Sequence, residues 1–183
     1  MNDEQTLFGN VRMLLFAGHD TTASTLSFGM WELAVNGHVQ ERLRKEVDEL
    51  FDSLADNKTI PTSRQLFKLP YMHAVVQEML RLHPAAGIAR TATKEITLRK
   101  GSESFRIPKD AQIVFFPFFA NFGGYWENPH EFDPSRYEEA TRKASIASEP
   151  STVPATKLPL SFSMGPRNCV GQPLAMTELK SVL

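Results

Sequence analysis

Cysteine is all but absent: Cys169 is the only one in 183 residues. That excludes an internal disulfide framework and any zinc site built from several thiolates. One thiol is left to explain, and a lone thiol fits a reducing compartment. Charge of one sign is also lacking. Lys+Arg number 20 against 21 Asp+Glu, a net charge of −1, so there is no basic field for nucleic acid or an anionic membrane. Long apolar runs are missing. The best candidate, Ile113 to Phe119, is short and broken by Pro117, far below the roughly 20 residues that cross a bilayer. No helix of this chain is therefore expected to anchor it. The acidic start, Met-Asn-Asp-Glu-Gln, lacks the basic-then-apolar pattern of a secretory signal. No internal repeat is found. What remains, 42% hydrophobic and 22% charged, is ordinary globular usage. The length suits one domain or a piece of a larger one. Phenylalanine is the plentiful type, and five of the 13 fall between Phe115 and Phe122. That cluster is read as core.

Apolar spacing predicts a long first helix over Glu4 to Val35, with Leu7, Val11, Leu14 and Leu15 on one face. Its middle, Gly18-His19-Asp20-Thr21-Thr22-Ala23-Ser24-Thr25, is a run of mostly poor helix formers between strong flanks. Packing alone does not call for such a run, and helical order is expected to resume over Leu26 to Val35. Asn36-Gly37 ends the helix. A charged helix follows over His38 to Phe51. After a loop, Thr62 is a candidate N-cap, and Pro70 opens a third helix that His83-Pro84 stops. From Ile88 to Phe116 the pattern is strand-like. Pro108-Lys109-Asp110 is read as the turn of a hairpin that Ile113-Val114-Phe115 completes. Pro117 to Asn121 reads as a helical turn, and 139–157 as a mobile surface loop. A last helix starts near Gly171-Gln172-Pro173 and runs to Leu183. The fold class is mainly α with a small antiparallel β region.

The strongest chemical signal is Phe162-Ser163-Met164-Gly165-Pro166-Arg167-Asn168-Cys169-Val170-Gly171, which fits F-x-x-G-x-R-x-C-x-G. With each residue type near one in twenty, five fixed positions match by chance in roughly one chain in ten thousand. Each position has a use if Cys169 is a thiolate ligand to haem iron. A tight loop brings backbone N–H groups near a thiolate. Gly165 and Gly171 remove side chains where backbone must approach a porphyrin. Arg167 can pair with a propionate, and Phe162 can keep water from the sulfur. The bland alternative is a buried structural cysteine.

This loop resembles the haem-binding loop of the cytochrome P-450 family, the haem-thiolate monooxygenases. The resemblance gives other segments a meaning. E-x-x-R occurs four times, at Glu41/Arg44, Glu78/Arg81, Glu103/Arg106 and Glu139/Arg142. Only Glu78/Arg81 has the family context, Lys68-Leu69-Pro70-Tyr71 before it and Leu82-His83-Pro84 after. The family joins this pair to an arginine in an F-x-P-x-R-F segment. Here that segment is Phe132-Asp133-Pro134-Ser135-Arg136-Tyr137, with tyrosine in place of the last phenylalanine. Glu78, Arg81 and Arg136 are thus expected to be buried together, as structural residues. Ala17-Gly18-His19-Asp20-Thr21-Thr22 resembles the family's A-G-x-D-T-T segment. The resemblance implies that Ala17 and Gly18 lie against the haem pocket, that a widened or kinked turn there makes room for oxygen and water, that Thr21 hydrogen-bonds dioxygen, and that Asp20 relays protons from solvent. It makes Arg90 a second propionate partner, and it puts Ala86 to Ala89 beside the substrate. His19 is not expected to bind metal.

The resemblance covers 1–183 as a partial cytochrome P-450 domain. Relative to the family, an N-terminal half and the extreme C-terminus are missing. It implies haem b (heme b, iron protoporphyrin IX), dioxygen as co-substrate, a small apolar organic substrate and a redox partner, either an NADPH-dependent reductase or a ferredoxin. No nucleic acid is expected. The implied reaction inserts one oxygen atom into the substrate, and the 183 residues alone are expected to be inactive. Two alternatives stay open: a truncated non-catalytic fragment, and a haem-thiolate isomerase or lyase. Asp20-Thr21 weighs against the isomerase. Localisation is not legible in this chain; for a eukaryotic parent the resemblance implies the cytosolic face of the endoplasmic reticulum membrane.

Overall fold

The computed structural model describes residues 3–54, 59–123, 126–138 and 159–183. The chain runs through α1 (Asp3–Val35), α2 (Gly37–Asp52), α3 (Ser63–Leu66) and α4 (Pro70–Leu82). Strands β1 (Ile88–Thr91), β2 (Ile96–Lys100), β3 (Glu103–Ile107) and β4 (Gln112–Phe115) follow, then α5 (Pro117–Asn121). Two 3-10 turns, Leu160–Phe162 and Gly165–Arg167, lead into α6 (Gln172–Val182). No described helix is long and apolar enough to cross a membrane.

The core is organised around α4. Met72, Val75, Val76 and Met79 are all buried, and so are the polar Glu78 and Arg81. A helix buried on every side must have its ends satisfied by other elements, and α4 does. Its N-cap, Leu69, supplies no side-chain bond. Instead Glu46 of α2 accepts the N–H groups of Tyr71 and Met72 at 2.8 and 2.7 Å. The carboxylate fills two orphan donors at the positive end of the helix dipole. Leu33, Val39, Leu43 and Phe132 pack with Met72, Val75 and Met79 in the largest cluster. α1 crosses α4 at Gly29, where a Cβ would stand 2.5 Å from the Met79 sulfur. A side chain there would have to push the Met79 thioether aside.

Two sequence expectations fail in this region. α1 is α-helical without a break from Asp3 to Val35, so no widened turn interrupts Gly18 to Thr25. Thr21, Thr25 and Ser27 each donate to the carbonyl four residues back, a back-bond that a continuous helix accommodates and that tends to bend it. The hairpin was also misplaced. β3 pairs with β2, Lys100 opposite Glu103, around Gly101-Ser102, and Gly101 has φ +60°. A two-residue hairpin loop wants glycine at its first central position. β4 instead returns to β1, Ile88 opposite Phe115. The Pro108 turn makes that return, with Asp110 at φ +66° donating its N–H to Ala92.

A third correction concerns the phenylalanine cluster. Phe115, Phe116, Phe118 and Phe119 are exposed, and only Phe122 packs on the core. Thr62 does cap α3, in a reciprocal box with Gln65. The expected loop at 139–157 lies outside the described residues.

Candidate functional site

Glu78 and Arg81 sit one turn apart near the end of α4, both with no exposed surface. Arg81 Nε donates to Glu78 Oε2 and Nη2 to Oε1, each at 2.7 Å. Its remaining bonds go to the carbonyls of Asn121 (3.1 Å), Pro129 (2.7 Å) and Glu131 (3.0 Å). Guanidinium has five N–H donors, and all are used. Glu78 Oε1 also accepts the Asp133 N–H at 3.0 Å and Arg136 Nε at 3.2 Å. Arg136 donates onward to the carbonyls of Glu127 and Asn128. One buried carboxylate between two guanidiniums thus fixes the backbone of 127–133. Trp126 and Phe122 flank Arg81 at 5.1 and 5.6 Å. The other matches differ: Glu41 and Arg44 are exposed on α2, Arg106 pairs with Glu95 at the surface, and Glu139/Arg142 lies outside the described residues.

The C-terminal end of α4 is a junction. His83, the residue after α4, meets Glu32 of α1 at 2.7 Å and stacks on Phe28 at 4.9 Å. Asn121, at the end of α5, is buried and donates Nδ2 to the Arg81 carbonyl at 2.9 Å. Its Oδ1 faces the Leu160 N–H at 3.4 Å. Ser161 Oγ donates to the Leu80 carbonyl. The segment carrying Cys169 is therefore fastened to the same helix end that α1 and α5 reach. Sequence reasoning missed Asn121, Ser161, Glu32 and Glu46. The lone polar Asn121 inside a phenylalanine-rich stretch was the one available signal.

Cys169 closes a loop. Its N–H donates to the Phe162 carbonyl at 2.9 Å, and its own carbonyl receives Gln172 N–H at the start of α6. The thiol is exposed. Gly165 has φ +75°, a conformation costly for other residues. A Cβ on Gly171 would lie 3.8 Å from the sulfur. Arg167 is exposed, and among the described residues its guanidinium has no hydrogen bond or ion pair. Phe162 packs on the Val76, Leu80, Met176 and Leu179 cluster. Leu26 of α1 packs on that same cluster, so α1 and the cysteine loop rest on one surface.

Around the α1 patch, Ala17 and Asp20 are exposed, and Gly18 is half-buried with open space where a Cβ would be. Thr21 Oγ donates to the Ala17 carbonyl at 2.7 Å. Asp20 lies 3.3 Å from His19, both at the surface. No hydrogen bond joins this patch to the Cys169 loop among the described residues. Arg90 is exposed on β1 and donates to the Ala89 carbonyl at 2.8 Å.

The donor set fits haem. No group of three or more His, Cys, Asp or Glu among the described residues could hold a metal ion. A lone accessible thiol suits an iron that arrives with a macrocycle supplying its other ligands. Arg167 offers an uncommitted cation for a carboxylate beside it.

The chain matches the family model described as Cytochrome P450 over residues 2–183. It is 36% identical over 174 residues to cytochrome P450 3A12 of Canis lupus familiaris, covering 93% of this chain and 31% of that protein. It is 39% identical over 171 residues to human cytochrome P450 4F12, covering 92% and 30%. Against cytochrome P450 3A19 of Capra hircus aegagrus the identity is 33% over 183 residues, covering 98% and 76%. The chain spans about a third of the length of the dog and human relatives. A match across nearly every residue, on a fold whose cysteine-bearing segment is fastened to the end of the helix that carries the buried Glu-Arg pair, places this chain in the cytochrome P450 family.

Proposed function

We propose that this chain supplies the thiolate side and the proton-relay helix of a haem-thiolate monooxygenase. The observation that carries the reading is the Cys169 loop: an accessible lone thiol beside an uncommitted Arg167, closed by backbone bonds to Phe162 and Gln172 in a segment that the Ser161 hydroxyl ties to the end of α4. Haem iron, when bound, activates dioxygen, and a thiolate ligand pushes electron density that favours O–O cleavage.

Each residue has a task in this reading. Cys169 ligates the iron as thiolate. Arg167 and Arg90 hold propionates, Arg90 after releasing the Ala89 carbonyl. Gly165 and Gly171 keep side chains out of the porphyrin's path, and Ala17 and Gly18 leave the α1 face open. The Thr21 hydroxyl now donates to Ala17. To pass a proton outward it must leave that carbonyl, and Asp20, at the surface beside His19, reloads it from solvent. Glu78, Arg81 and Arg136 hold the coil and the helix end on which the loop sits. The substrate is small, apolar and organic, and electrons come from an NADPH-dependent reductase or a ferredoxin. The 183 residues alone are not competent: Leu7, Phe8, Leu14, Leu15 and Phe16 are all exposed along α1, a patch that favours association over a closed pocket.

The test is isotopic. The full-length protein that carries these residues, loaded with haem and supplied with a reductase and isotopically labelled dioxygen, puts one labelled oxygen atom into an apolar product and one into water. Turnover without electrons or dioxygen would instead identify an isomerase or lyase.

A further inference from the structure

We propose that the C-terminal end of α4 is the seat that positions Cys169, and that Ser161 and Asn121 are the positioning residues that hold it there; this rests on Cys169 being the haem ligand. A helix leaves its last four carbonyls without intrahelical partners. Local devices usually fill them, a glycine in the left-handed conformation or a basic side chain. α4 has no such glycine: it is followed by His83 at φ −124° and Pro84. Met79 O takes the His83 N–H. The next two carbonyls are filled from far along the chain, Leu80 by the Ser161 hydroxyl and Arg81 by the Asn121 amide.

These two bonds bear on the cysteine because of what lies between. Asn121 is buried, with its amide on α4 and its carbonyl oxygen toward the Leu160 N–H. Leu160–Phe162 forms one 3-10 turn, and Phe162 O then receives the Cys169 N–H at 2.9 Å. Inside the loop the described backbone bonds are local, Ser163 N–H to Leu160 and Asn168 N–H to Gly165. Met164 through Val170 are exposed. The loop is therefore held at its two ends, by the 160–162 turn and by α6, rather than along its length. A displacement of the turn reaches the Cys169 amide through a single hydrogen bond.

The experiment compares Ser161→Ala, Ser161→Thr and Asn121→Ala with the parent in the haem-loaded protein. The reduced carbon monoxide complex reports the ligand: a red-shifted band for thiolate, a shorter-wavelength band for thiol or displaced ligand. Far-ultraviolet circular dichroism reports the helices. Ser161→Ala is expected to keep its helix signal and bound haem while the ratio of short- to long-wavelength band rises about five- to tenfold, the weight of one hydrogen bond. Ser161→Thr, which keeps the hydroxyl, restores the parent ratio, and Asn121→Ala shifts it at least as far as Ser161→Ala. An unchanged ratio in Ser161→Ala overturns the inference, as does a threonine variant no better than alanine. Loss of helix signal together with haem in Ser161→Ala also overturns it, since Ser161 then serves the fold at large. A parent with no thiolate band defeats the haem-ligand reading itself, which separates that failure from the failure of the positioning role.

Discussion

Arg81 grips Glu78 through two parallel bonds of 2.7 Å, with neither side chain exposed. Removing Glu78 strands Arg81 as a buried charge with no carboxylate, and removing Arg81 leaves Glu78 with Arg136 alone; such breaks cost about 3–5 kcal/mol. Glu78→Ala and Arg81→Ala should therefore give little folded holoprotein. Arg81→Lys should not rescue, because an ammonium cannot bond two carboxylate oxygens and three carbonyls at once. Haem content and a urea unfolding curve check both. Parent-like haem content in Glu78→Ala would contradict the role.

Glu46 caps α4 from a neighbouring helix. Glu46→Ala should lower unfolding free energy by about 1–2 kcal/mol, as lost caps and dipole partners do. Glu46→Gln, which keeps one acceptor oxygen, should lose less. Urea midpoints measure the order.

His73 lies half-buried on α4, and burial, with Lys180 as a lesser cause, lowers its pKa to about 4. The unfolded chain takes up that proton near the ordinary histidine value, so it binds more protons than the folded chain between these limits. Stability must fall as pH drops from about 6.5 to about 4, by up to about 3 kcal/mol from this group. His73→Gln should flatten that part of the stability–pH curve. An equally steep fall in the variant assigns the slope to other groups.

In the full-length protein, Thr21→Ala should leave haem binding intact and divert reducing equivalents to peroxide or water, because proton delivery is lost rather than binding. Thr21→Ser, which can still release and re-form the Ala17 bond, should retain more coupling. The ratio of product formed to NADPH consumed measures it.

Much of this was legible in the sequence. Local apolar spacing and stop signals set α1, α2 and α4 within a residue or two, and Gly171-Gln172-Pro173 marked the start of α6. The motif around Cys169 and the Glu78/Arg81 context picked out residues that the structure brings to one helix end. What escaped were long-range choices. Which strand β3 pairs with depended on Gly101 outcompeting Pro108 as the hairpin turn. Asn121 and Ser161 gave little local signal, because their partners are carbonyls 40 and 81 positions away. The α1 kink was implied by the resemblance, at residue types whose hydroxyls in fact bond back to the helix. Phe115 to Phe119 looked like core because composition says nothing about which apolar side chains find a partner.

The central claim is that Cys169 is the thiolate ligand, and the most direct measurement is the absorbance spectrum of the reduced carbon monoxide complex of Cys169→Ser beside the parent. The account predicts the red-shifted thiolate band in the parent and its absence in the serine variant, with the helix signal unchanged. A serine variant that keeps that band would contradict it.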